Sequence, residues 1–195
     1  ITIGGSLNLL PHPVRAIRQI ADEVGAYVLF DAAHQCGLIA GQYWPNPLDE
    51  GAHLMTFSTY KSLGGPPSGL IVSNDQSLMQ KIDRIAFPGL TANFDVAKSA
   101  ALAITLLDWR EHGSEYAQKM VSTSQQLATA LDAHGIPVFS VDLNHSEIFT
   151  DSHQFALKAH QFGGGQTAAK LLRKANILSC GIDLPVEQIP DDMNG

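Results

Sequence analysis

Two stretches decide the reading of this chain: YVLFDAAHQCG at residues 27–37 and MTFSTYKSLGGPPSG at residues 55–69. In the first, the run Tyr27-Val28-Leu29-Phe30 is short, β-prone and preceded by Gly25, which predicts a buried strand ending at Asp31. In the second, Leu54 to Thr59 predicts another strand, and Gly64-Gly65-Pro66-Pro67 stops any regular element soon after Lys61. An acid and a lysine therefore emerge at successive strand ends. A lysine desolvated between a strand end and a loop can have a lowered pKa and attack a carbonyl carbon.

One cofactor uses both groups. In pyridoxal phosphate chemistry the amine of a lysine condenses with the cofactor's aldehyde, while an acid keeps the pyridine nitrogen protonated so that the ring accepts a carbanion's electrons. Taken singly, each residue has an ordinary explanation: a strand-end Asp is a helix N-cap, and a lone loop Lys is solvated. Only the paired setting shifts the balance.

The flanking segments support a sheet that could present them. Ile1-Thr2-Ile3 predicts a strand running into Gly4-Gly5-Ser6, otherwise an ordinary strand-ending turn. From Pro11 to Val24, Val14, Ile17, Ile20, Ala21 and Val24 recur at helical spacing with Arg15, Arg18, Asp22 and Glu23 between them. Alternating strand and helix favour an α/β fold, a mostly parallel sheet flanked by helices. Ligands gather at the carboxyl ends of such strands, where Ser6, Asp31 and Lys61 all fall. His34 follows Asp31 closely enough to share a pocket, although a lone His is more often structural. Ser58 and Thr59 could offer hydroxyls to a ligand, or be ordinary strand residues.

The second half reads differently. A long Ala- and Leu-rich helix is predicted from Asp95 to His112 and a second, amphipathic one from Tyr116 to His134. Strands are expected at Ile136–Val141, Phe155–Ala159 and Ile177–Cys180, with a helix over Thr167–Ala175 after the turn Gly163-Gly164-Gly165. That triplet lacks the Lys-Ser/Thr ending of a phosphate loop. The expected organisation is a partial large domain over 1–110 and a partial small α+β domain over 111–195.

Composition narrows the function. A net charge of -7 and a pI near 5.5, with no cluster of Lys and Arg, argue against a nucleic-acid partner. No apolar run reaches the roughly 18 residues of a membrane helix. Cys36 and Cys180 lie far apart, which suits a reducing, cytoplasmic setting, and the eight histidines show no metal-ligand spacing. The chain starts with Ile1 and ends in Asp192-Met193-Asn194-Gly195 without closing an element, so a fragment is expected.

DAAHQCGLIAG, TFSTYKSLGGPPSGLIVSN and AFPGL, together with ITIGGS and IADEVGAY, resemble serine hydroxymethyltransferase, a pyridoxal phosphate family of the aspartate-aminotransferase fold type. The likeness spans nearly the whole chain and is densest from Ile1 to Gly89. It implies that Lys61 bonds the cofactor, that Asp31 partners the pyridine nitrogen, and that Ala33 packs on the ring face. It further implies that His34 hydrogen-bonds near cofactor and substrate, and that Ser6, Ser58 and Thr59 contact the cofactor. The implied reaction interconverts serine and glycine, passing a one-carbon unit to tetrahydrofolate, in a homodimer or higher homo-oligomer. Segments beyond both ends would, in that family, complete the cofactor domain and supply the arginine for the substrate carboxylate.

Three positions depart from the family pattern. Tyr60 replaces the histidine before the lysine, exchanging an imidazole for a phenol with pKa about 10. Pro67 replaces an arginine, removing a permanent charge. Thr91-Ala92-Asn93-Phe94 stands where glycines cradle the phosphate from a neighbouring subunit, and alanine tolerates positive φ poorly. These keep open a folate-independent aldolase, transaldolase or α-methylserine-type enzyme, and, from another class, a non-catalytic remnant of the fold.

Overall fold

The computed structural model describes residues 1–143 and 145–195. They form two compact units, Ile1–Val121 and Ser122–Gly195, whose boundary falls inside one helix. The expected junction after residue 110 lies earlier in that helix.

The first unit is built on a four-stranded sheet, β1 (Thr2–Gly4), β2 (Leu29–Asp31), β3 (Leu54–Ser58) and β4 (Gly69–Val72), in that spatial order. β1, β2 and β3 are parallel, with Gly4 opposite Asp31 and Asp31 opposite Thr56. β4, which is not among the strands expected from sequence, pairs antiparallel with β3. The link between them, Thr59 to Ser68, is shorter than the about a dozen residues that a parallel crossover needs. The chain must therefore turn back, and Lys61 rides on that turn. The result is an α/β unit with a mixed sheet and flanking helices.

Helix α1 (Val14–Glu23) joins β1 to β2 and buries Val14 and Ala21 against Val28, Phe30, Ala52 and Met55. A second apolar cluster brings Cys36 and Leu38 of α2 (Cys36–Ala40) onto Trp44, Leu63, Trp109, Ala117 and Val121. Ile39 and Phe57 touch both clusters, so the apolar interior is continuous. Helix α3 (Gln76–Arg84) follows β4 and is capped by Asp75, whose carboxylate accepts from the Ser77 and Leu78 N–H groups.

The two helices expected over 95–112 and 116–134 are one, α4 (Val96–Ala133). Gly113 does not break the helix; it is a packing position. A Cβ there would lie 2.6 Å from the Trp109 ring, and one at Gly41 would lie 2.5 Å from the Gly113 carbonyl oxygen. Glycine costs a helix interior about 1 kcal/mol relative to alanine. Here it admits the indole and the end of α2.

In the second unit β5 (Val141–Leu143) and β6 (Ser146–Ile148) form an antiparallel pair. Of the strands expected at 136–141 and 155–159, Val141 opens β5 and the rest shrinks to one bridge, Val138 to Leu157, flanked by Phe139 N–H to Ala156 O and Lys158 N–H to Pro137 O, both 2.8 Å. Pro137 has no N–H with which to extend the ladder. No strand forms at 177–180 either. Ile177 N–H instead closes the end of α5 (Gly165–Lys174) on the Leu172 carbonyl, and Leu178 is exposed. α5 begins earlier than expected because Gly163 and Gly164 take positive φ and Asp192 caps it, accepting from Gln166 and Thr167 N–H at 3.0 and 3.1 Å. Those bonds hold the Asp192 carboxyl below its usual pKa. In the segment 150–153, Thr150 and Ser152 are buried, and the Gln125 amide donates to the Thr150 carbonyl.

Among the described residues no helix is long and apolar enough to cross a membrane, and no group of three or more metal-ligating side chains comes together. Both thiols are free, Cys36 buried and Cys180 exposed.

Candidate functional site

The strand register puts Gly4 and Asp31, the last residues of β1 and β2, side by side with Thr56 of β3, which runs two residues further. Ser6, His34 and Lys61 follow on the loops leaving the carboxyl edge of these parallel strands, the place where open α/β sheets hold ligands. Two of these loops meet through side chains. Lys61 Nζ lies 3.0 Å from His34 Nε2.

His34 is the electrical centre of the group. Burial lowers its pKa below the usual 6.5, the Lys61 ammonium lowers it further, and the Asp31 carboxylate partly offsets both. The imidazole is thus neutral at pH 7, and its Nε2 can accept a hydrogen bond from Lys61 Nζ. The same three-way coupling places both charges within electrostatic reach of one ring. Asp31 keeps a second acceptor duty, taking the Ala33 N–H on Oδ1 at 3.0 Å, so the turn after β2 sets the carboxylate's orientation.

Gly4 makes the tight edge possible. It sits at φ +91, and a Cβ there would collide with the Asp31 carbonyl oxygen, which also accepts the Gly5 N–H. No side chain at this position stands between β1 and the acid. Ser6 is exposed on the loop beyond. That loop is tied down by two residues absent from the sequence expectations: Asn8 donates to the Gly5 carbonyl, and the fully buried Gln35 donates to the Asn8 carbonyl. Nothing in their sequence neighbourhood signals this, because the Gln35 bond spans distant parts of the chain.

The Lys61 turn is fastened from within. Thr59, expected to present its hydroxyl to a cofactor, is completely buried; its hydroxyl donates to the Pro66 and Ser68 carbonyls, closing the turn. Ser58 and Ala33 are half-buried, and their carbonyls both lie near Cys36 Sγ. Trp109 donates from its indole to the Leu63 carbonyl at 2.7 Å, fixing the turn to α4. Tyr60, Pro67 and the segment Thr91 to Phe94 are exposed.

The histidines predict a pH dependence. His34, His12 and His53 all have lowered pKa values, chiefly through burial. Below about 6.5 the unfolded chain therefore binds more protons than the folded one, so this share of stability is complete above 6.5 and is lost as pH falls. Chemical denaturation of the whole protein between about pH 7.5 and 5 should show stability falling with acidity, and His34→Gln should flatten part of the slope.

The donor set fits pyridoxal phosphate in its chemistry: an amine, a neutral imidazole and a carboxylate that the imidazole senses lie at one sheet edge.

A family model described as serine hydroxymethyltransferase matches residues 10–192. The chain is 60% identical over 195 residues to an alpha-methylserine aldolase of Ralstonia sp, covering all of this chain and 44% of that protein. An alpha-methylserine aldolase of Variovorax paradoxus is 61% identical over the same length, with 43% of it covered. A serine hydroxymethyltransferase of Sulfolobus acidocaldarius is 44% identical over 179 residues, 92% of this chain and 40% of that protein. The chain thus spans less than half the length of these relatives.

Proposed function

Because this chain belongs to the serine hydroxymethyltransferase family, we propose that the whole protein is a pyridoxal phosphate enzyme that makes or breaks the bond between Cα and a hydroxymethyl carbon of a small amino acid. The observation that carries this is the Lys61 amine 3.0 Å from a neutral His34 whose ring also feels Asp31, at the carboxyl edge of parallel strands. When bound, the cofactor supplies an electron sink for the pair released at Cα. Lys61 would be the amine that holds its aldehyde, and Asp31 would supply the negative charge for its ring nitrogen. His34, against Lys61 Nζ, is placed to take or return a proton there. Ser6, Ala33 and Ser58 line the approach, while Thr59 shapes it indirectly. A homo-oligomer in the cytoplasm, as expected from sequence, completes the proposal.

Two substrate choices share this chemistry. In each, the hydroxyl proton leaves, the Cα–Cβ bond breaks and Cα gains a proton, so serine gives glycine and α-methylserine gives alanine, the lost carbon leaving as formaldehyde or passing to tetrahydrofolate. The folate-free aldolase is favoured by 60–61% identity to proteins of that name against 44% for named hydroxymethyltransferases, and by Tyr60 and Pro67. The test is formaldehyde release from α-methylserine and from serine, with and without tetrahydrofolate. Turnover of serine that requires folate would reverse the preference; no release from either amino acid under any condition would end the reading.

A further inference from the structure

Lys61 and Ser62 are neighbours that grip the same histidine in different ways. Lys61 reaches the His34 ring, while Ser62 Oγ donates to the His34 carbonyl at 2.6 Å. The same Ser62 oxygen accepts the Gly37 N–H at 2.9 Å and lies 3.4 Å from Cys36 Sγ. The two backbones are nearly in contact there, since a Cβ on Gly37 would collide with the Ser62 carbonyl oxygen. One small hydroxyl therefore acts as donor and acceptor at once, across 28 residues of sequence.

We propose that Ser62 is a positioning residue that sets the Lys61 amine against His34. The inference rests on reading Lys61 as the reactive amine. Alanine at 62 would strand the Gly37 N–H and the His34 carbonyl without this shared partner and loosen the spacing of the two loops. Threonine keeps the hydroxyl, and cysteine keeps the shape with a much weaker donor and acceptor.

The test is made on the whole protein without cofactor, so that it does not depend on the reaction. Trace acetic anhydride labels amines in proportion to their unprotonated fraction, and mass spectrometry compares Lys61 with the exposed Lys119 across a pH series. The contact with His34 occupies the Lys61 amine, so losing it frees the amine to react and raises labelling. Ser62→Ala should raise Lys61 labelling relative to Lys119 by about threefold, the scale of one weakened hydrogen bond, with Ser62→Cys between and Ser62→Thr at the wild-type level. Equal labelling in wild type and Ser62→Ala would overturn the proposal. So would a Ser62→Thr as altered as Ser62→Ala, which would point to volume and not to the hydroxyl. If the alanine variant fails to fold, the near-isosteric cysteine variant decides by the same readout. Borohydride trapping of pyridoxal phosphate on wild-type Lys61 is run alongside: its failure would sink the reading of Lys61 as the reactive amine, whereas the labelling comparison alone decides whether Ser62 sets the lysine against His34.

Discussion

Lys61→Ala in the whole protein is expected to remove turnover of any amino-acid substrate by on the order of 10³-fold or more, the scale seen when an enzyme loses a residue that bonds covalently. The visible absorbance of Lys61-linked cofactor should vanish with it, and borohydride should no longer trap cofactor on the peptide that contains position 61. The fold should survive. Lys61 is half-buried, its carbonyl accepts the Gly64 N–H within a turn that Thr59 closes, and its side chain reaches His34. A variant that keeps more than about a tenth of wild-type turnover would show that the amine is not the one that bonds the cofactor.

Asp31→Asn probes the other end of the ring. Asparagine keeps an acceptor for the Ala33 N–H, which Asp31 now holds at 3.0 Å, and removes only the charge. Folding should therefore lose about 1 kcal/mol or less. Activity should fall by roughly 10²- to 10³-fold, because an uncharged partner no longer favours the protonated pyridine nitrogen that stabilises charge arising at Cα. The measurement is kcat beside the unfolding midpoint. Comparable losses in both would assign Asp31 to the fold and not to the chemistry.

Much of this site is legible in the sequence because its signals are local. Glycine before an apolar run, an acid at its end, and a lysine just ahead of Gly-Gly-Pro-Pro each occupy a few consecutive residues. Their arrival at one edge of the sheet follows from strand alternation. What escapes depends on distant partners or on chain economy. Gly69-Leu70-Ile71-Val72 looks like the tail of a motif, and only the brevity of the Thr59–Ser68 link shows that a returning strand is required. Gly113 looks like punctuation because a sequence does not reveal that an indole lies against it. Pro137 does carry a local warning: its lack of an N–H is the reason only one bridge forms around it. Thr59 matches a ligand-binding role by residue type, yet its hydroxyl is used by the turn. Ser62, Gln35 and Trp109 have no local signature at all.

The anchoring of the Lys61 turn at Thr59, Ser62 and Leu63 bears on how a catalytic cycle would run. With the main chain pinned on both sides, the freedom left to the amine is rotation about its own four methylenes, motion on the picosecond to nanosecond scale. Moving the amine from one partner to another would then take only a change of rotamer, with no segment to melt and refreeze.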